Sequence, residues 1–316
     1  MYDLIIIGAS AAGSAAAIYA ARRNLNFMVI SKDIGGEVAL SGEIENWPGQ
    51  IHTDGIKLAK DFHEHVLSYQ VKIENDATVL RINQKQNHHE VQARTTDGKE
   101  TSYEAKAVII ASGIHPRLLG VPGENELRGK GVTYCTVCDG PLYKNKITAT
   151  IGSGNSALES ALMMAGIAKK VYLISKFPNT KETNGGFPKG ENILIDKAKQ
   201  LSNVEIIYQA NTQKIVGTDF VVGLHYQDMS NSTQHELTID GAMIHVGMIP
   251  NSDFVGSIAK NPVQEIIVTQ KCETSVPGIF AAGDVTNIPY KQISIAVGQG
   301  ATAALAAIEY INRWSE

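Results

Sequence analysis

Two cysteines separated by two residues are the part of this sequence best suited to chemistry. Cys135 and Cys138 enclose a threonine and a valine, and Asp139 follows at once. Such a pair can close into a small disulfide that opens and recloses during turnover, while a neighbouring carboxyl group holds or supplies a proton. The alternatives are half of a zinc site or two buried thiols, but no second CxxC or HxxxH-like pair is present to complete four zinc ligands. The pattern therefore favours redox chemistry, and Cys272 is expected to be an inert packed thiol.

The composition of the chain limits which classes of partner and which cellular location are expected for this protein. The chain has 316 residues, enough for two domains, and its formal net charge of -4 gives no reason to expect nucleic acid or an anionic membrane as a partner. No basic segment precedes the first apolar run, and we expect no run of about 18 apolar residues that could span a membrane. Three cysteines are too few for a disulfide framework, so the sequence indicates thiols in the reducing cytoplasm.

A glycine loop stands near the start of the chain, between a predicted strand and a predicted helix. Leu4–Ile7 is a continuous apolar run typical of a buried parallel strand, and the alanine-rich segment after the loop predicts a helix to about Arg23. Between them lie Gly8 and Gly13, with Ser10 where a middle glycine usually stands. Backbone amides and the positive end of the helix can there receive a pyrophosphate group. The alternative is a tight turn without a ligand.

The next apolar run, Phe27–Ile30, leads to a candidate ribose ligand. An acid near this point can accept hydrogen bonds from the adenosine ribose hydroxyls. Asp33 is the only acid available there, and Ser31 is a weaker substitute. Either residue could equally belong to a solvated turn.

A second copy of the strand–loop–helix pattern begins in the middle of the chain. The predicted strand Ile147–Ile151 leads into a GxGxxA turn formed by residues 152–157, and a helix is expected to about Ala165. The following strand is predicted over Lys170–Ile174. Two such loops predict two nucleotides, or one nucleotide and one loop kept only for packing.

The first nucleotide fold is interrupted by the second and completed near the end of the chain. Ala107–Ile110 predicts a strand, Gly278–Asp284 predicts another with an aspartate at its tip, and Gln292–Trp314 predicts a helix. The sequence therefore predicts an α/β protein with two Rossmann-like, doubly wound dinucleotide-binding domains, the second inserted into the first. The boundaries fall near 114 and 246, giving residues 1–114 with 247–316, and residues 115–246.

Several motifs together resemble the low-molecular-weight thioredoxin reductases. The segments Gly42–Gly49, Cys135–Gly140 and Gly283–Val285 occur in the order and spacing of that family, as do the two glycine loops, over essentially the whole chain. The resemblance implies an FAD-containing homodimer that passes electrons from NADPH to flavin, then to the CxxC pair, and then to the disulfide of thioredoxin or a similar protein. It makes Cys138 the thiol beside the flavin, Cys135 the thiol that attacks the partner, and Asp139 the acid–base residue.

The resemblance also assigns cofactor-binding residues. Those carried over to FAD are Gly8, Gly13, Asp33, Gly35, Gly36, Asn46, Val79, Gly113, Asp284, Lys291 and Gln292. Those of the second loop, expected to hold NAD(P)H, are Gly152, Gly154 and Ser156. Asn46 could instead form an Asx turn before Trp47 and Pro48. Two departures are mild: Glu37 stands for the usual glutamine, and Lys291 for an arginine.

One departure bears on the electron donor. Members that use NADPH bind its 2′-phosphate through arginines after the strand that follows the second loop, whereas this chain has Ser175, Lys176 and, farther on, Lys181. Each lost charge-assisted hydrogen bond costs about 1.5–3 kcal/mol, so NADPH should bind weakly. The donor could instead be NADH, although no acid is available to bind its ribose. It could also be ferredoxin, which would deliver electrons directly at the flavin. A third alternative is weak use of either nicotinamide nucleotide. We favour poor NADPH use with a donor still to be identified.

Two other functions remain open from the sequence. A flavin reductase of a peroxide-removing system usually carries a thioredoxin-like domain ahead of the flavin domain; this chain opens with its flavin strand, so such a domain would be separate. A slow, redox-responsive FAD-holding protein is the other alternative. The nine histidines show no metal-binding spacing. We expect His88 and His89 in a solvated turn and His245 to be structural, or else a cofactor contact.

Overall fold

The computed structural model describes residues 1–315. The strands are β1 (Tyr2–Ala9), β2 (Phe27–Ile34), β3 (Glu43–Ile44), β4 (Thr53–Asp54), β5 (Lys72–Glu74), β6 (Ala77–Gln84), β7 (His89–Thr95), β8 (Glu100–Ile110), β9 (Ile114–Pro116), β10 (Val132–Thr133), β11 (Ile147–Ile151), β12 (Lys170–Ile174), β13 (Val204–Ile207), β14 (Ala210–Gly217), β15 (Val221–Asp228), β16 (Gln234–Thr238), β17 (Gly241–Ile244), β18 (Met248–Pro250) and β19 (Ile279–Ala281). The α-helices are α1 (Ala11–Arg22), α2 (Gly36–Ala39), α3 (Gly55–Leu67), α4 (Thr136–Asp139), α5 (Asn155–Ala165), α6 (Asn192–Gln200) and α7 (Ile293–Asn312).

The chain folds into two compact units. The first comprises Met1–Ser41, Trp47–His115 and the chain from Ile249 onward, and the second comprises Gly42–Asn46 and Pro116–Met248. The second unit is therefore an insertion in the first, apart from the short segment that joins it from positions 42–46.

A seven-stranded sheet forms the centre of the first unit. Strands β5, β2, β1 and β8 lie side by side and parallel, and β19 pairs parallel with β8. The first half of β8 also pairs antiparallel with β7, which in turn pairs with β6. Leu4, Ile5 and Ile6 of β1 have no exposed surface, as expected of a parallel strand covered on both faces.

The second unit is built on a five-stranded parallel sheet. Its strand order is β10-β17-β11-β12-β13, and a separate antiparallel sheet of β14, β15 and β16 accompanies it. The predicted mixed α/β class with parallel sheet cores is thus confirmed. Strands β11 and β12 have the bounds that their apolar runs predicted.

Helix α7 packs on α1 through small residues. A Cβ atom added at Gly300 would lie 2.1 Å from the backbone oxygen of Ala12, and Ala303 and Ala304 are fully buried. By length and composition alone α7 could cross a membrane, although polar residues such as Gln299 and Glu309 interrupt its apolar sequence. Core helices pass the same test, and because α7 contributes buried alanines to the first unit we interpret it as one.

The structure contradicts the expectation for one histidine. His89 is 3% exposed because it begins β7 instead of lying in a solvated turn. Its ring makes a hydrogen bond with the backbone of Pro277, and the loss of water around it lowers its pKa. His88 next to it is partly exposed and lies 3.6 Å from a carboxylate oxygen of Glu104.

Candidate active site

Cys135 and Cys138 are joined by a disulfide in the second unit. Cys135 precedes the single helical turn α4, and its Sγ accepts a hydrogen bond from the backbone amide of Cys138 at 3.3 Å. Both cysteines are partly exposed, and Val137 between them is 56% exposed. The predicted disulfide is therefore present, and it lies at the surface of its own unit.

Asp139 sits directly beneath this turn, hydrogen-bonded to a threonine. The hydroxyl of Thr133 donates to Oδ2 of Asp139 and accepts from the backbone amide of Cys135 at 3.2 Å. The other oxygen, Oδ1, is buried without a hydrogen-bond partner among the described residues. Burial raises the pKa of Asp139, although the hydrogen bond from Thr133 opposes that shift. A carboxyl group in this setting can keep its proton until a neighbouring sulfur needs it.

Sequence reasoning missed two threonines at this site. Thr133 connects Asp139 to the backbone of Cys135, and Thr136 points inward between the cysteines with only 4% of its surface exposed. The position of Thr136 inside the CxxC motif was a usable signal. For Thr133 the sequence carried no signal, because its role depends on how the chain turns back after the cysteines.

The first glycine loop is too crowded for side chains at two positions. A Cβ atom at Gly8, whose φ is +110°, would lie 2.2 Å from the backbone oxygen of Ala111, and one at Gly13 would lie 1.8 Å from that of Gly8. Ser10, in place of a middle glycine, donates its hydroxyl to the backbone oxygen of Gly35 at 2.6 Å. The extended residue Ser10 precedes α1 without capping it through its side chain, so the first amides of α1 can face an anion.

The turn after β2 gathers three of the predicted FAD residues. Oδ1 of Asp33 accepts a hydrogen bond from the amide of Gly36 at 3.0 Å, and Gly35 has a φ of +95°. The hydroxyl of Ser31 is directed to the backbone oxygen of Asp33 at 2.5 Å, and the residue is 6% exposed. Of the two candidate ribose ligands, Asp33 is therefore the exposed one.

Asp284 and Lys291 lie in the segment of the first unit that connects β19 to α7. Asp284 follows β19 in a short turn, and burial raises the pKa of its carboxyl group to about 6, which the charge of Lys291 partly opposes. Lys291 itself is engaged: its Nζ lies 2.8 Å from Oε1 of Glu265 and donates to the backbone oxygen of Thr286 at 2.6 Å. Gln292 precedes α7 as its N-cap residue.

The remaining predicted FAD residues occupy separate elements. Val79 lies in β6 with 8% of its surface exposed, and Gly113 has a φ of +69° with open space where a Cβ atom would be. Next to it, the amide nitrogen of Asn251 donates to the backbone oxygen of Ser112 at 2.8 Å. Asn46 belongs to the second unit, with the cysteine pair.

The second glycine loop differs in its surroundings. A Cβ atom at Gly152, whose φ is +155°, would lie 2.3 Å from the backbone oxygen of His245, whereas one at Gly154 would find its nearest neighbour, Lys189, at 3.7 Å. Gly154 is the N-cap residue of α5 and has no side chain to cap it, and Ser156 lies in the first turn. This loop can also present helix amides to an anion.

Ser175, at the end of β12, is occupied in holding its own loop. It is fully buried, and its hydroxyl donates to the backbone oxygen of Gly186 at 2.5 Å and lies 3.1 Å from Oγ of Ser153. The same oxygen accepts from the amide of Phe177 at 3.2 Å. Ser175 stands where a ribose-binding residue is expected, but its hydroxyl instead holds the segment that follows β12.

Comparison with known proteins decides the family. Residues 2–300 match the pyridine nucleotide-disulphide oxidoreductase family. The chain belongs to this family. It has a thioredoxin-reductase-like fold and a disulfide at the expected position.

Among curated relatives, the chain is 43% identical over 318 residues to the alkyl hydroperoxide reductase F subunit, from Pseudomonas putida, covering 99% of this chain and 59% of that protein. It is 37% identical over 313 residues to an NADH dehydrogenase of Ferdinandcohnia aciditolerans, covering 99% of this chain and 58% of that one. The chain thus spans about three fifths of the length of these curated relatives.

Among solved structures, thioredoxin reductase from Streptococcus pyogenes matches with a TM-score of 0.90 and 34% identity, over 99% of this chain and 98% of that one. A ferredoxin-flavin thioredoxin reductase from Clostridium acetobutylicum matches with a TM-score of 0.51 and 30% identity, over 98% of each chain. The resemblance to low-molecular-weight thioredoxin reductases is thereby confirmed.

Proposed function

We propose that this chain is a flavin-dependent disulfide reductase of the thioredoxin reductase type. The observation that carries the proposal is the Cys135–Cys138 disulfide with a buried carboxyl group beside it, in a chain that matches a disulfide oxidoreductase family over residues 2–300. FAD, when bound, supplies two-electron redox chemistry between a donor and this disulfide. The physiological acceptor would be the disulfide of thioredoxin or of a similar small protein.

The first unit is proposed to hold FAD. In support, Gly8 and Gly13 leave no room for a Cβ atom, as the tight turn and the close helix–strand packing of a dinucleotide-binding loop require. The carboxyl group of Asp284, deprived of water, is suited to accept hydrogen bonds from ligand hydroxyls. Because Lys291 is already bound to Glu265, we propose that it acts through its charge near Asp284 and not by direct contact with a phosphate.

Opening of the disulfide to one thiol and one thiolate requires two electrons and one proton, and the chain can supply that proton. We propose that Cys138 receives the electrons and that Cys135 leaves as a thiolate. Asp139, whose pKa burial raises, would then donate its proton toward the released sulfur and recover it when the disulfide reforms. Cys135 would finally attack the partner's disulfide, releasing one partner thiol, and Cys138 would resolve the mixed disulfide.

The electron donor is proposed to be something other than tightly bound NADPH. Ser175 is buried and fully engaged, and the exposed Lys176 and Lys181 offer no planar guanidinium for a 2′-phosphate. NADH remains a candidate because the second loop keeps both glycines of the dinucleotide-binding pattern, and one relative is named an NADH dehydrogenase. Ferredoxin is the remaining candidate, and one structural relative is named for it.

A second candidate function is the flavin reductase of a peroxide-removing system. It is favoured by the 43% identity to the alkyl hydroperoxide reductase F subunit, which exceeds the 34% identity to the thioredoxin reductase of Streptococcus pyogenes. Under this proposal the same Cys135–Cys138 chemistry applies, and only the protein that accepts the electrons differs.

Three further proposals rest on the family resemblance. They are a homodimer, a cytoplasmic location, and a rotation between an FAD domain (1–114 and 247–316) and an NAD(P)H-type domain (115–246) that alternates the two half-reactions. A slow, redox-responsive role would be the conclusion if the protein bound FAD but exchanged disulfides with neither partner class.

Trapping the mixed disulfide tests the proposed function. In a Cys138→Ser variant, Cys135 has no resolving partner, so incubation with oxidised thioredoxin should yield a covalent complex that dithiothreitol dissolves. The matched Cys135→Ser variant should yield none. A complex with a purified thiol peroxidase or its thioredoxin-like carrier, and not with thioredoxin, would establish the second candidate. Absence of any complex from either variant, with FAD bound, would contradict both.

An anaerobic experiment identifies the donor. The flavin-loaded protein is mixed separately with NADPH, NADH and reduced ferredoxin while the flavin absorbance is followed. Rapid bleaching by micromolar NADPH would contradict our interpretation of the missing arginines, and bleaching by ferredoxin alone would establish a protein donor.

A further inference from the structure

The two residues between the cysteines face in opposite directions. Val137 is 56% exposed, whereas Thr136 is 4% exposed and lies inside the second unit. The exposed valine stands where a partner protein would approach. The buried threonine offers almost no surface to a partner protein, so its role is sought in what its hydroxyl binds.

The hydroxyl of Thr136 meets two polar groups from distant parts of the chain. Its Oγ1 lies 2.6 Å from Oγ of Ser160 in α5 and 2.8 Å from Nε2 of His245, just after β17. Ser160 is itself 4% exposed and lies 3.4 Å from Oγ1 of Thr150 in β11. Helix α5 and the segment after β17 therefore both contact the turn that carries the disulfide, and β11 contacts it indirectly through Ser160.

His245 is held firmly in this arrangement. Its amide donates to the backbone oxygen of Ile151 at 2.8 Å, and its own backbone oxygen lies against Gly152 of the second glycine loop. Although part of the residue reaches the surface, loss of water around the ring lowers its pKa to about 4. The imidazole is thus neutral at neutral pH and exchanges one hydrogen bond with Thr136 without placing a charge beneath the disulfide.

We infer that Thr136, with Ser160 and His245, is a positioning residue that stabilises the disulfide form of the Cys135–Cys138 pair relative to its dithiol form. The hydrogen bonds fix the first residue of α4 while the sulfurs are bonded to each other. Opening the disulfide releases that constraint on the turn. Losing the hydroxyl should therefore make the pair easier to reduce. This inference rests on the proposed disulfide exchange, but it concerns the equilibrium of the pair and needs no partner protein.

The test measures the reduction equilibrium of the flavin-loaded protein against dithiothreitol. Each reducing event converts the Cys135–Cys138 disulfide to two thiols while one dithiothreitol closes to its cyclic disulfide, so electrons and protons balance. After rapid alkylation, mass spectrometry of the peptide that contains both cysteines gives the reduced fraction. We expect Thr136→Val, which keeps the side-chain shape, to shift the equilibrium constant toward the dithiol about threefold to tenfold, or about 15 to 30 mV.

Two other variants separate positioning from a general structural effect. Ser160→Ala removes one of the two partners and should shift the equilibrium in the same direction by a smaller amount. Thr136→Ser keeps the hydroxyl, so its equilibrium constant for reduction should lie within about twofold of wild type. If Thr136→Val is too unstable to measure, Ser160→Ala and Thr136→Ser still test the inference.

Val137→Thr is the matched control, because it makes the reverse change at the exposed position and should leave the constant unchanged. An equilibrium constant that is the same in wild type, Thr136→Val and Ser160→Ala would overturn the inference. If the cysteine pair cannot be reduced in wild type or in any variant, the proposed function fails as well. Failure of the inference alone and failure of the proposed function are therefore distinguishable.

Discussion

The two glycine loops share one backbone pattern but differ in what their middle and third positions tolerate. In the first loop the middle residue is Ser10, tied to Gly35, and the third is Gly13, where a Cβ atom would meet a backbone oxygen at 1.8 Å. In the second loop the middle residue is Gly154, where a Cβ atom would make only an ordinary contact with Lys189 at 3.7 Å, and the third is Ala157, which carries the Cβ that Gly13 lacks. Both loops are crowded at their first glycine, so they differ at the middle and third positions.

The strands that follow the loops extend this difference. At the end of β2, the exposed Asp33 accepts a hydrogen bond from the amide of Gly36 through its carboxylate. After β12, the buried Ser175 binds its own loop. The loop–helix backbone is therefore common to both halves, but of the two positions proposed to meet a ribose only the first, Asp33, is acidic. The sequence motif reports the shared backbone, and the residue after the next strand decides which nucleotide can use it.

The strongest way to break the comparison is to make the first loop like the second. Gly13→Ala adds the Cβ that would overlap the backbone oxygen of Gly8, so α1 must move away from β1. We expect purified protein with less than about a tenth of the wild-type flavin content, measured by absorbance, because overpacking at a close backbone contact costs several kcal/mol. The control Ala157→Gly should retain its flavin, and wild-type flavin content in Gly13→Ala would show that the loop can relax.

Acid should destabilise the second unit through His245. Its pKa is about 4 in the folded protein and about 6.5 in an unfolded chain, so the unfolded state binds more protons between these values. The free energy of unfolding should therefore fall as pH drops from about 6.5 to about 4, by up to about 3 kcal/mol. Urea unfolding across this range checks it, and the stability of wild type relative to His245→Gln should fall by the same amount over this pH range. A constant difference would contradict the sign of the pKa shift.

Restoring arginines should sharpen the contrast at the second loop. Lys176 and Phe177 follow Ser175, and Nζ of Lys176 lies over the Phe177 ring at 5.3 Å. The double variant Lys176→Arg, Phe177→Arg offers guanidinium groups to a 2′-phosphate and should lower the NADPH concentration for half-maximal flavin bleaching about tenfold. The value for NADH should stay within about twofold. Equal gains for both nucleotides would mean that the new charges act without recognising the 2′-phosphate.

The smallest expected effect concerns Ser10. Replacing it with glycine, as at Gly154, removes the hydrogen bond to Gly35 and should weaken flavin retention by about 1 kcal/mol, roughly fivefold in the dissociation constant. Fluorescence titration of the flavin-free protein with FAD measures this. Ser10→Thr, which keeps a hydroxyl, serves as the control, and equal loss in both variants would indicate that shape and not the hydrogen bond matters.

Much of the fold was predictable because local pattern and tertiary position agree. The apolar runs of β11 and β12 are bounded by polar or glycine residues, so their ends were readable, and the C-terminal helix differs from its prediction by only a residue or two at each end. The disulfide was predicted from the CxxC spacing together with the adjacent Asp139, the lack of further zinc ligands and the family resemblance. His89 was not predictable, because the turn that covers it, at Pro277 and Gly278, is far away in the chain.

The polar groups around the disulfide were also unpredictable, because they come from distant parts of the sequence. Thr136, Ser160 and His245 are each ordinary in the sequence, and only the folded second unit brings their side chains within hydrogen-bonding distance. Likewise, the sequence showed that no arginine follows β12 at Ser175. It could not show that the Ser175 hydroxyl donates a hydrogen bond to the backbone oxygen of Gly186.

The most direct test is an anaerobic reductive titration of the flavin-loaded protein with dithionite. If the Cys135–Cys138 disulfide accepts electrons from the flavin, the wild-type protein should consume about twice as much dithionite per flavin as Cys138→Ser before the flavin remains bleached, since both are two-electron centres. Equal consumption by the two proteins would mean that flavin and disulfide do not exchange electrons, which contradicts the account at its centre.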